Sequence, residues 1–147
     1  MNLNRCLFWG RYLCLAACLS GCAFSHGYST EAHRQLQKLE ALQMQFLRDG
    51  TEMPLDPQAL QHDHQRILRQ FDQAIALAHS LDDAPRTDTF LTLQTEYQRL
   101  HARFSQQQRA FTPAQFTIFG QQIHLMYQLA ADGECARSGA DCASGGV

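Results

Sequence analysis

Residues 56–81 read DPQALQHDHQRILRQFDQAIALAHSL, and this stretch decides the fold. Asp56 suits an N-cap, because its carboxylate accepts from the free amides of a first helical turn, and Pro57 suits the first helical position. Leu60, His64, Ile67, Phe71, Ala74, Ala78 and Leu81 then recur at alternating steps of four and three residues. That spacing, held for three heptads, is the seam of a helix packed in a bundle. Asp82-Asp83-Ala84-Pro85 breaks it.

The same grammar appears on both sides. Upstream, residues 30–48 place Leu36, Leu39, Leu42 and Phe46 on one stripe, which Asp49-Gly50 stops before the loop Met53-Pro54-Leu55. Downstream, residues 85–109 carry Phe90, Leu93, Tyr97, Leu100 and Phe104. Thr112-Pro113-Ala114-Gln115 has the form of a capping box with proline at the first position. It opens a fourth helix, 113–131, with Phe116, Phe119, Ile123, Met126 and Ala130 inward and Gly133 as its stop. Ile118, Leu125 and Leu129 widen its apolar face, so it is expected to be the most buried of the four. Short connections make neighbouring helices antiparallel. The expected product is an all-α, up-down-up-down four-helix bundle over residues 30–133, with helices roughly 30–37 Å long. No strand pattern, phosphate-binding glycine loop or internal repeat competes with it.

Residues 1–21 belong to a different kind of segment. They contain Arg5 and Arg11 and no acid, and Tyr12 to Leu19 is an apolar run too short to span a bilayer. The run ends Leu19-Ser20-Gly21-Cys22, which resembles the lipobox of bacterial lipoproteins: a branched apolar residue, two small residues and the cysteine that receives lipid. The resemblance covers only the first 22 residues. It implies a signal peptide cut between Gly21 and Cys22, acylation of Cys22, and a tether over residues 22–29. Ala23-Phe24-Ser25 carries no aspartate, the residue that commonly marks inner-membrane retention in that family. The resemblance therefore implies the outer membrane, on its periplasmic face. A multiply acylated cysteine holds a bilayer stably where a single chain does not.

Processing of that kind simplifies the cysteines. Of six, Cys6, Cys14 and Cys18 leave with the signal and Cys22 takes lipid. Cys135 and Cys142 remain, a pair that reads as a disulfide in an oxidising compartment. It closes a small ring in a tail spanning 134–147, worth about 2–2.5 kcal/mol if the tail is ordered. Loss of Arg5 and Arg11 takes the net charge from −2 to −4 and removes the sole tryptophan, Trp9. No basic run survives, so nucleic acid is not an expected partner.

Chemistry is sparse. His64 stands in the seam where an apolar residue is expected, and the antiparallel register brings His101 to its level. His124 falls within about one turn of that layer, about 5 Å, so His64, His101 and His124 form a candidate zinc or copper set. As a core residue instead, His64 would tolerate leucine. His62 and His64 point to different helix faces and do not chelate. A covalent haem needs Cys-x-x-Cys-His, which is absent, and Met44 and His124 are misaligned for a bundle haem. Neither Ser105 nor Ser138 has a nucleophile context. No catalytic set assembles and no cofactor is called for. The leading expectation is a non-catalytic, lipid-anchored periplasmic helical module that binds another envelope protein, with the histidine metal bundle as the alternative.

Overall fold

The computed structural model describes residues 27–138. Within them the chain forms four antiparallel helices: α1 (Thr30–Asp49), α2 (Pro57–Ser80), α3 (Ala84–Gln107) and α4 (Pro113–Ala136). The expected all-α four-helix arrangement is the one observed. None of the described helices is long and apolar enough to cross a membrane.

Each helix begins where its sequence supplies an acceptor for the first-turn amides. Ser29 accepts from the Ala32 amide, Asp56 from Gln58 and Ala59, and Asp83 from Arg86. At α4 the Thr112 hydroxyl accepts from the Gln115 amide while the Gln115 side chain accepts from the Thr112 amide, the reciprocal capping box. Leu36, Leu39, Phe46, Ile67, Phe71, Ala74, Ala78, Phe90, Leu93, Tyr97, Ile123 and Tyr127 fill one continuous core. The two ends of the bundle differ. At the far end the Phe111 amide donates to the Gly50 carbonyl at 2.8 Å. A Cβ on Gly50 would lie 2.8 Å from the Phe111 ring, so the crossing of these two loops requires glycine. The opposite end, here the Arg86 end, gathers Gly27–Ser29, the α2–α3 turn and the end of α4.

Two expectations about α4 are corrected. Gly133 does not stop the helix, which runs on to Ala136 and takes in Glu134 and Cys135. The reason is tertiary: Glu134 is buried and ion-paired to Arg86 of α3, which holds the last turn in place. Nor is α4 the most buried helix. Ile118, Leu125 and Leu129 are 53%, 56% and 62% exposed. Its buried positions are Gly120, Ile123, Tyr127 and Glu134; Tyr127 and Gly120 meet Gln43 and Met44 of α1, while Glu134 reaches Arg86 of α3. Gly120 packs beside Met44 of α1, at a distance where even a Cβ would make ordinary contact.

Packing is consequently uneven. α1 contacts both α2 and α4 closely, and α2 contacts α3, but α3 and α4 barely approach one another. The bundle is open along that seam.

Candidate functional site

The three histidines divide. His64 and His101 come together as the register predicts, their rings stacked with centroids 3.7 Å apart and planes 12° from parallel. His64 Nδ1 shares a 2.8 Å hydrogen bond with the hydroxyl of Tyr97, itself fully buried. Burial lowers the pKa of His64, and burial together with the neighbouring His64 lowers that of His101. Burial thus favours the neutral form of both imidazoles, and Tyr97 is pushed up by its own burial and by Asp63. His101 edges an apolar hollow of about 270 Å³ lined by Phe46, Leu55, Leu60 and Phe104.

His124 does not join them. It follows the inward Ile123, and one residue step of about 100° turns it toward α1, where its Nδ1 meets Glu40 at 2.8 Å on the surface. The set His64, His101 and His124 is therefore not assembled. Among the described residues no group of three or more His, Cys, Asp or Glu side chains is arranged to hold a metal. The register argument failed because it passed through a close α3–α4 pairing that α4 does not make.

A second cluster escaped the sequence reading. At the end that gathers Gly27–Ser29, Arg86, 2% exposed, donates from Nε to Glu134 Oε2 at 3.0 Å and from Nη2 to Glu134 Oε1 at 2.6 Å. Its Nη1 faces Asp83 Oδ2 at 2.9 Å, a charge contact without hydrogen-bond alignment. Nη2 also donates to the Gly27 carbonyl, the Ser29 amide donates to Glu134, and Arg137 pairs with Asp83. Burial pulls the Asp83 carboxyl upward, but the Arg86 amide and the two guanidiniums outweigh it and hold its pKa below the ordinary value. The cluster ties α3, α4 and the segment entering α1 into one joint. No local pattern in the sequence marks Arg86, because its partner Glu134 lies 48 residues away.

The third feature is the α3–α4 seam itself. Two successive hollows, of about 300 and 150 Å³, run along it. α1 shows through as the floor with Gln43 and Leu36. Gln43 is buried, and its amide donates to the Tyr127 hydroxyl at 2.6 Å. The α4 wall is apolar, with Phe119, Leu125, Met126 and Leu129, whereas the α3 wall presents Glu96, Arg99 and Arg103. Ile118 continues the exposed α4 row. These residues were visible in the sequence as a face wider than one stripe, yet were expected to point inward.

Gly21 and Cys22, where cleavage and lipidation are expected, lie outside the described residues, as does Cys142. Cys135 sits half-buried in the last turn of α4. Comparison with family models, with curated proteins and with solved structures finds no match to this chain.

Proposed function

We propose that the chain is a non-catalytic, lipid-anchored helical module that binds another protein of the bacterial envelope through its α3–α4 face. The observation that supports this is the row Ile118, Leu125 and Leu129, exposed beside an open seam. A bundle gains stability by burying such residues, and contiguous exposed apolar surface rimmed by polar groups marks protein interfaces. The anchor belongs to the same proposal. Cys22 lies five residues before Gly27, a reach of at most about 17 Å, so acylation there holds the Arg86 end near an outer-membrane surface facing the periplasm. The Cys135–Cys142 disulfide is part of this reading, since both cysteines would occupy an oxidising compartment.

The test is Leu125→Glu with Leu129→Glu. Both side chains are largely in solvent, so the melting temperature should stay within a few degrees of wild type. Recovery of the crosslinked partner from intact cells should be lost. Undiminished recovery would remove this face from the proposal.

A further inference from the structure

We infer that the α3–α4 groove receives a single amphipathic helix of the partner protein, apolar along one edge and acidic along the other. This rests on the proposal that the face binds protein, and it names the class of segment bound.

Shape is the first argument. The groove is bounded by two antiparallel helices and floored by a third, and hollows of about 300 and 150 Å³ lie along it. From Thr89 to Arg103 it extends about 21 Å at helical rise, enough for roughly four turns of a partner. A flat apolar patch would accept many shapes, whereas a trough between parallel walls suits the helix-in-groove mode, read by anchors at steps of three and four residues.

Charge selects the occupant. One wall offers Phe119, Leu125, Met126 and Leu129, and the other offers Arg99 and Arg103. Arg99 is engaged by Glu96 one turn earlier on the same wall. Arg103 has no ion-pair partner among the described residues. The groove therefore keeps a positive edge in a protein whose mature charge is negative. A helix with leucine-like anchors toward α4 and Asp or Glu toward α3 meets both walls.

The other occupants fit less well. Residues 1–26 are apolar but hold two arginines and no acid, the wrong sign for the α3 wall. Residues 139–147 are mostly glycine, alanine and serine, with one valine, too small to fill the trough. A second copy would present α4, whose exposed row is flanked chiefly by Gln121, Gln122 and Gln128.

The experiment places a photoreactive benzoylphenylalanine at Leu125 in the full chain, with Arg69 on the outer face of α2 as the control position. Irradiation of intact cells and sequencing of the crosslinked peptide identify what lies in the groove. The expected adduct is a segment of another protein with apolar residues at steps of three and four and Asp or Glu on one edge. Adding Arg99→Glu and Arg103→Glu should reduce its yield by about tenfold, while Arg99→Lys with Arg103→Lys keeps most of it. An adduct to a second copy, to residues 139–147 or to lipid would overturn the inference. So would an adduct to a basic or non-helical segment, or a yield indifferent to the charge reversal. In these last cases the protein-binding reading survives. Absence of any protein adduct from Leu125 would sink both.

Discussion

At the scale of single residues, His64 shows how a partner changes a substitution. Leucine would match its seam position, but Tyr97 is buried and its hydroxyl depends on His64. His64→Leu leaves that hydroxyl unpaired, and an unsatisfied buried polar group costs about 1–3 kcal/mol. The double variant His64→Leu with Tyr97→Phe removes both partners and should recover most of the loss in chemical denaturation. A single variant as stable as wild type would show that the bond contributes nothing. The same pair predicts a pH dependence. The folded pKa values of His64 and His101 lie below the ordinary 6.5, so the unfolded chain binds more protons as acid is added. Stability from these groups is present above pH 6.5 and is lost as pH falls from there through the folded-state values. Asp63 acts oppositely: burial first, and Asp49 second, raise its pKa, so it disfavours the fold as pH rises past the unfolded value of 3.8. The histidine contribution is therefore read by difference. Between pH 7 and 5 the wild type should lose more stability than the His64→Leu, Tyr97→Phe variant.

Among the elements, α4 is the one whose surroundings most change its meaning. Its capping box and proline start it, and nothing in its last turn predicts that it passes a glycine. The Arg86–Glu134 pair supplies the difference, because a buried ion pair left half-made costs about 3–5 kcal/mol. Glu134→Leu should therefore destabilise the protein by about 3 kcal/mol, at the low end of that range because Asp83 still faces Arg86. Arg86→Leu should be worse, since it removes the bidentate partner of Glu134 and one of the two guanidiniums beside Asp83, leaving both buried carboxylates to Arg137 alone. Urea unfolding of the two variants measures the order, and the reverse order would show that Arg86 is not the hub of the joint. Loss of the α4 end should also release residues 27–29, detectable as faster amide exchange at Ser29, whose N–H donates to Glu134.

For the molecule as a whole, both described termini lie at one end, which suits a tether. Cys22→Ser should leave an uncleaved precursor without acyl label, whereas Cys135→Ser keeps the lipid. Labelling with radioactive palmitate checks both, and equal label in the Cys22→Ser protein would dismiss the anchor. Much of the architecture was legible because its signals are local: Asp56-Pro57 and Thr112-Pro113 start helices, and the seams of α2 and α3 carry a regular period. Even the meeting of His64 with His101 follows from counting through a short turn. The outward placement of Ile118, Leu125 and Leu129 was not legible, and neither was the Arg86 joint.

The division has a physical cause. Helix existence, starting point and direction depend on caps, breakers and periodicity within about a dozen residues, and these the sequence alone determined, together with the lipobox expectation for Cys22. Which flank of each helix meets which neighbour depends on contacts between residues 48 to 105 apart, such as Arg86 with Glu134, Gln43 with Tyr127 and Ser29 with Glu134. α4 lies close on α1, where Tyr127 meets Gln43, and barely approaches α3. An apolar residue signals only that burial is favourable, not that the same chain provides it. Only the tertiary structure decided that the wide apolar face of α4 would be left beside an open groove.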